Sequence, residues 1–340
     1  MRRSSLVVPG IVALLSAPAG GEPGTPAYTI EEIRAVARSV HPTLESVEAG
    51  VEAASESVHQ ARAYPNPALA AAFGRGRPSS GGDARNESSF GLLQPIELPG
   101  VRKWRIRLAE LGVRAAEVER AVAESIVDST VARLAHTVLG GEQSVEIARD
   151  SLDVAARLHE LLARRVELGE APPLDAVKAR SEWYARQQEL LVAESELELA
   201  RSTLDLFCGR RLGTSFVVTD VLDAGDPTAL PDDLVERLQA GNPVLLGAEL
   251  AIEQAGARIE IERKAPLPRI DVVAGHDTEL DRSATHVGVG LTVPLWNRNR
   301  GAVAAATASR HRLTSDLAGL RNELEADLAR AATAYRRASS

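Results

Sequence analysis

Few residues of this chain stand at spacings that could do chemistry. His276 and His286 lie nearly equidistant from a turn near Asp281, which would make them cross-strand neighbours offering two imidazoles to one cation. No third firm ligand accompanies them, so the set is incomplete as a metal site. Serine, histidine and aspartate are scattered without a nucleophile motif. Gly74-x-Gly76 is too short to cradle a phosphate, and no P-loop occurs. The single cysteine, Cys208, excludes an internal disulfide and a cysteine-based metal cage, and at a helix end it reads as an inert thiol. These residues predict neither an enzyme nor a bound cofactor.

The remaining constellation is a bend, Gly169-Glu-Ala-Pro-Pro-Leu-Asp175. Gly169 permits the backbone geometry of a helix end, and Asp175 suits the positive N-terminus of the helix that returns. The stretch before the bend, from Val101, carries no proline, and its only glycines are Gly112 and the pair Gly140-Gly141. Its apolar positions, among them Val127, Val131, Leu134 and Val138, step by three and four, which is helical spacing. A helix that long reaches roughly 100 Å at about 1.5 Å per residue. Each mid-rod glycine costs about 1 kcal/mol relative to alanine, so Gly140-Gly141 reads as a bend or a weak point.

The return arm, Leu174 to Phe207, carries two apolar or small seams. One runs through Ala176, Ala179, Trp183, Leu190, Leu197 and Leu204. The other runs through Leu174, Val177, Tyr184, Leu191, Leu199 and Leu206. A simple two-stranded coiled coil shows one seam, so two seams call for neighbours on both sides. A wall or tube of helices satisfies that pattern, and so does the core of a multi-helix bundle.

The surrounding composition narrows the class. Net charge is −8 with no basic block, which argues against nucleic-acid binding. No run of about 18 apolar residues supplies a transmembrane helix. Arg2-Arg3, the apolar stretch Leu6–Leu15 and Ala17-Pro18-Ala19 read as an export signal over residues 1–19, followed by a Gly/Pro-rich linker over 20–27. No cysteine follows the apolar core to take a lipid.

The rest divides into two related segments, 28–220 and 221–340. Thr29-Ile-Glu-Glu32 fits a capping box for a short helix, His41-Pro42 opens a second helix, and Tyr64-Pro-Asn-Pro67 stops it. A β-hairpin is expected over 68–96, then the helical hairpin over 101–207. The order recurs about 201 positions later, where Asn242-Pro243 answers His41-Pro42 and Pro266-Leu-Pro268 answers Pro65-Asn-Pro67. The second hairpin, 269–295, alternates clearly, with Val287, Val289, Leu291, Val293 and Leu295 against Gly288, Gly290 and Thr292. Phe90, Leu92 and Ile96 keep that parity in the first. A long helix restarts over 301–340, but no second bend or return arm follows, so the second repeat reads as truncated.

Such strands suit a membrane-spanning barrel. Four per chain cannot close one, and an open edge cannot sit in lipid, so several chains would have to share it. Three chains give twelve strands and room for a channel, and would bring six imidazoles to one rim. Tyr64, Trp104 and Trp296 stand at the hairpin–helix junctions, where an interfacial aromatic belt belongs. A soluble pair of hairpins capping a helical bundle satisfies the same strand pattern.

The chain resembles the TolC-like outer-membrane efflux proteins, and within them the CzcC-like heavy-metal branch. The resemblance is carried by Tyr64-Pro-Asn-Pro67, Gln94-Pro-Ile-Glu-Leu-Pro-Gly100, Arg165-Val-Glu-Leu-Gly169 with Leu174-Asp175, and Val293-Pro-Leu-Trp-Asn297. It covers residues 28–340. It implies a mainly α fold with a β-barrel part: long antiparallel coiled-coil helices and two β-hairpins per chain, joined in a homotrimeric α-barrel/β-barrel channel. It also implies a place in the outer membrane, in contact with its lipid, the helices extending into the periplasm. The duct would serve an inner-membrane pump and a periplasmic adaptor, passing small solutes, heavy-metal cations among them. Carried over residue by residue, the adaptor-contact tip is Arg165, Gly169, Pro172, Pro173, Leu174 and Asp175. The rival expectation is a soluble periplasmic coiled-coil scaffold or adaptor-like protein. Gating residues are not assignable, because the family's constriction draws on the second helical hairpin.

Overall fold

The computed structural model describes residues 26–78, 81–97, 99–213, 215–220, 230–280 and 282–338. The expected export signal, nearly all of the linker, and Asp281 lie outside the described residues. The chain runs β1 (Ala27–Tyr28), α1 (Ile30–Val40), α2 (Pro42–Arg62), β2 (Ala68–Gly76), β3 (Arg85–Ile96), α3 (Pro99–Glu167) and α4 (Pro173–Phe207). It continues with β4 (Val217–Val218), α5 (Leu234–Gly241), α6 (Pro243–Lys264), β5 (Arg269–Glu279), β6 (Arg282–Thr292) and α7 (Arg300–Ala338). The succession α1-α2-β2-β3-α3 thus returns as α5-α6-β5-β6-α7.

Local chemistry sets these boundaries. The Thr29 hydroxyl accepts the Glu32 N–H at 3.2 Å while Glu32 Oε2 accepts the Thr29 N–H at 2.8 Å, a complete capping box at the head of α1. His41 and Asn242 are both N-caps with proline at the first helical position. The His41 ring accepts the Thr43 N–H at 3.3 Å, and Asn242 Oδ1 accepts the Val244 N–H at 2.8 Å. The recurrent X-Pro pair is therefore a repeated helix start. α3 begins at Pro99, two residues before the rod expected from the sequence, because a first-turn proline lacks only an N–H that has no partner there.

The described residues form two compact units. The first combines residues 26–36 with Val131 onward to residue 220. Here α3 and α4 lie antiparallel, tied by Arg149–Glu194 at 2.9 Å and Arg201–Glu142 at 2.7 Å. Gly140-Gly141 does not break α3. A Cβ on Gly141 would stand 3.2 Å from Leu197 Cδ1 and 3.5 Å from Leu197 Cα, so this glycine lets α4 approach closely. Below the hairpin, β1 and β4 pair in parallel, and the Tyr28 ring meets the buried Phe216 ring edge-on at 6.3 Å. Asp205, buried, accepts the Leu212 and Gly213 N–H groups at 3.0 and 2.9 Å, closing the chain reversal after α4.

The second unit combines Ala37–Thr130 with the described residues from 230 onward. Its helical part buries Leu111 of α3 against Leu250 and Ala257 of α6, with Trp104 and Leu108 packed around them. Its sheet has the order β2-β3-β5-β6, antiparallel throughout. The register pairs Leu69 with Leu92, Leu92 with Ala274, and Ala274 with Val287. Arg105 fastens the first hairpin to the helices. It donates to Ala61 O at 3.0 Å and Ala63 O at 3.1 Å and pairs with Glu97. Asn299 does the corresponding work in the second copy, donating to Glu262 O at 2.9 Å.

Candidate functional site

Two surfaces and one turn carry the features that a function would use. The first surface is the sheet. Residues directly opposite one another across an antiparallel pair share a face. The register therefore collects Leu69, Leu92, Ile96, Val272, Val289 and Leu291 on one side. Gly91, Gly275, Gly288 and Gly290, with Asp271, Asp277 and Glu279, fall on the other. The apolar side is uncovered: Leu69 is 83% exposed, Val287 77% and Val289 71%. The edge strands β2 and β6 each pair on one side only, leaving a row of backbone donors and acceptors unpaired. An antiparallel sheet with an open apolar face and two open edges offers surface for burial and backbone groups for further pairing.

The second surface belongs to the helical hairpin. Of the two seams on α4, the one through Ala179, Leu197 and Leu204 is buried against α3, at 5%, 8% and 0% exposure. The other stays open, with Leu174, Val177, Tyr184, Leu191, Leu199 and Leu206 all exposed. α3 bears a matching open stripe, Ile147, Val154, Leu158 and Leu161, stepping by seven, four and three, and Leu168 just past its end continues it. Each helix of the pair therefore has one satisfied seam and one awaiting a neighbour. The periodicity alone did not say which was which.

The turn between α3 and α4 brings the six expected tip residues together. Leu168 N–H donates to Arg164 O at 3.1 Å and Glu170 N–H to Arg165 O at 2.9 Å, with Gly169 at φ +76° ending the helix. Pro172 caps α4 without a side-chain hydrogen bond, Pro173 opens it, and Asp175 lies in its first turn. Arg165 faces Glu170 at 3.7 Å, and Leu174 is 60% exposed. The arrangement presents a charged rim around an apolar side chain at the end of the hairpin.

The two histidines do not form a pair. His276 stands opposite Thr285 and bonds Thr285 Oγ1 at 2.8 Å, on the face that carries Leu92 and Val287. His286 stands opposite Gly275 and lies 3.3 Å from Asp277, on the other face. The connection between Glu279 and Arg282 is two residues long, so partner numbers sum to an odd value. Two histidines ten apart then fall on opposite faces, which corrects the expectation that they are cross-strand neighbours. Among the described residues no three His, Cys, Asp or Glu side chains converge as a metal site. The expected aromatic belt is also redistributed. Tyr64 and Trp296 are 69% and 92% exposed, whereas Trp104 packs into the helical core. Sequence reasoning missed the Arg102 guanidinium, which lies 4.5 Å over the Tyr64 ring. Cys208 is buried, and loss of hydration pushes its thiol up to about 11, away from thiolate chemistry. No helix among the described residues is long and apolar enough to cross a membrane.

Known proteins resemble this chain over most of its length. The outer membrane efflux protein family matches residues 34–210 and 234–340. The cobalt-zinc-cadmium resistance protein CzcC of Cupriavidus metallidurans is 28% identical over 318 residues, covering 90% of this chain and 75% of that protein. The nickel-cobalt-cadmium resistance protein NccC of Alcaligenes xylosoxydans xylosoxydans is 27% identical over 78% of this chain, which spans 60% of its length. Among solved structures, CusC superposes with a TM-score of 0.75 at 18% identity, over 87% of this chain and 72% of that one, a likeness of fold. The chain belongs to the outer membrane efflux protein family, as a channel component and not an enzyme.

Proposed function

We propose that three copies of this chain assemble into one duct, a twelve-stranded barrel in the outer membrane continued by a tube of helices in the periplasm. The observation that carries this reading is the four-stranded sheet with an apolar face and two unpaired edges. Twelve strands leave a lumen that eight would fill. The open seams on α3 and α4 supply the lateral contacts of the tube. The face bearing Gly275, Gly288 and the carboxylates lines the passage, and the apolar face meets lipid. Residues 1–19 act as the export signal that brings the chain there.

The turn of Arg165, Gly169, Pro172, Pro173, Leu174 and Asp175 docks a periplasmic adaptor, which links the duct to an inner-membrane pump. Its exposed leucine and flanking charges support that role. Relatives named for resistance to cobalt, zinc, cadmium and nickel support metal cations as the cargo. Passage needs no reaction in this chain, since the pump supplies the energy. The test is fractionation followed by native mass spectrometry and a growth assay. The expected result is recovery in the outer membrane as a trimer, with cobalt and cadmium tolerance lowered on deletion. Recovery wholly in the soluble periplasm refutes the duct. Unchanged metal tolerance beside altered resistance to organic compounds refutes the cargo.

A further inference from the structure

The chain is acidic overall, at −8, yet one zone reverses the sign. Segments 97–107, 258–269 and 296–300 carry ten Lys and Arg against three Glu. All three segments lie where the sheet meets the helices, at the ends of β3, α6 and β6 and the starts of α3, β5 and α7. The exposed aromatics Tyr64 and Trp296 stand in the same zone, directly after the apolar face of the sheet ends. A band of cations and aromatics beside a lipid-facing apolar band is the arrangement that meets headgroups.

Two clefts open there. One, of about 560 Å³, is lined by Tyr64, Arg102, Lys103, Trp104 and Arg107 together with Glu97 and Glu110. Both carboxylates are already engaged, Glu97 by Arg105 and Glu110 by Arg62 at 3.6 Å. Arg107 faces Glu253 at 3.4 Å. Arg102 has no carboxylate partner among the described residues: it lies over the Tyr64 ring and donates to Arg62 O at 2.6 Å. Lys103, exposed, joins none of the ion pairs among the described residues. The second cleft, of about 340 Å³, has an apolar floor of Pro65, Pro95, Val101 and Leu267 with Lys264 at its rim. It shares Glu97 with the first.

We propose that this junction binds the headgroup of an anionic phospholipid from the periplasm-facing leaflet of the outer membrane. The phosphate meets Arg102 and Lys103 in the first cleft, and the glycerol and upper acyl chain lie along the apolar floor of the second, near Lys264. Stacking on Tyr64 holds the Arg102 guanidinium, so its donors lose little freedom on meeting an anion. A zwitterionic lipid carries its own ammonium beside its phosphate and gains less from unpaired cations. The proposal rests on the membrane placement of the sheet.

The full chain, purified in detergent, carries its own reporters in Trp104 and Trp296. Micelles are doped with brominated phosphatidylglycerol or brominated phosphatidylethanolamine, and tryptophan quenching is read against lipid fraction. Phosphatidylglycerol is expected to reach half-quenching at an approximately tenfold lower fraction. The variant R102Q/K103Q/K264Q is expected to narrow that preference to about twofold, with glycerol phosphate at millimolar concentration leaving the wild type unchanged. Equal quenching by both lipids overturns the proposal and leaves the membrane placement standing. Quenching by neither overturns both. Competition by glycerol phosphate assigns the cations to a free anion and overturns the lipid. Should the triple variant lose helicity, K103Q at an exposed residue repeats the comparison, and an undiminished preference there also overturns it.

Discussion

Leu191 and Leu199 offer the sharpest test of the assembly, because within one chain half or more of each stays open, at 52% and 68% exposure. If the open seam of α4 meets a neighbouring copy, replacing both by serine leaves the chain folded and weakens the trimer. Full burial of a leucine contributes about 1.5–3 kcal/mol. With half to two-thirds of each side chain still to be covered, each site is worth about 1–2 kcal/mol per interface. Two sites at three interfaces amount to about 6–12 kcal/mol per trimer, a fall of roughly four to nine orders of magnitude in the assembly constant. Serine's weaker helix propensity adds only a few tenths of a kcal/mol per site. Native mass spectrometry across a dilution series reads the assembly, and circular dichroism reads the fold. The expected result is L191S/L199S monomer with wild-type helicity. A trimer population equal to that of the wild type across the dilution series would refute the reasoning, as would a variant that loses its helices while wild type keeps them. Leu197→Ser, on the buried seam, should do the reverse and unfold the hairpin.

Further expectations concern packing, reactivity and docking. Gly141→Leu should lower the melting temperature by overpacking Leu197, at a cost of about 1–3 kcal/mol, whereas Gly140→Ala, with open space at its Cβ, should raise it. Cys208 should resist iodoacetamide at pH 8.5 in the native protein and react freely in denaturant. Its folded pKa of about 11 lies above the ordinary thiol value of 9.0, so the folded state holds the proton longer. Its contribution to stability is therefore complete below pH 9 and is lost as pH rises toward 11, which a pH series of denaturation midpoints checks. Exchanging the charges in Arg165→Glu/Asp175→Lys should preserve the trimer while abolishing copurification of the adaptor and restoration of metal tolerance. Unimpaired copurification would remove the turn from the docking role.

Much of the architecture was legible because its rules are local. A hydroxyl three residues before a glutamate, a proline after histidine or asparagine, and apolar steps of three and four each act within one or two turns of chain. The capping box at Thr29, the helix starts at Pro42 and Pro243, and the hairpin of α3 and α4 stand where those rules put them. Other features had no such signal. The two-residue strands β1 and β4 pair across most of the first repeat, held by Phe216 packing on Tyr28 and by Asp220 accepting the Ile30 N–H at 2.6 Å. No window of sequence contains both partners. The histidine positions follow a local rule as well, since the two-residue connection after Glu279 sets the parity that puts the two rings on opposite faces.

By itself the sequence determined which of the longer segments become helix and strand, and that the return helix carries two apolar seams. Those are consequences of side-chain spacing, which backbone geometry converts directly into faces. Tertiary structure decided what spacing leaves open. It chose the seam through Leu197 for the intrachain contact, because Gly141 lets the backbones close there and nowhere else along that seam is a glycine opposed to a leucine backbone. It drew Trp104 into the core while leaving Arg102 on Tyr64. Each outcome depends on a neighbour well beyond a few helical turns in sequence, and such a contact leaves no period in the chain to be read.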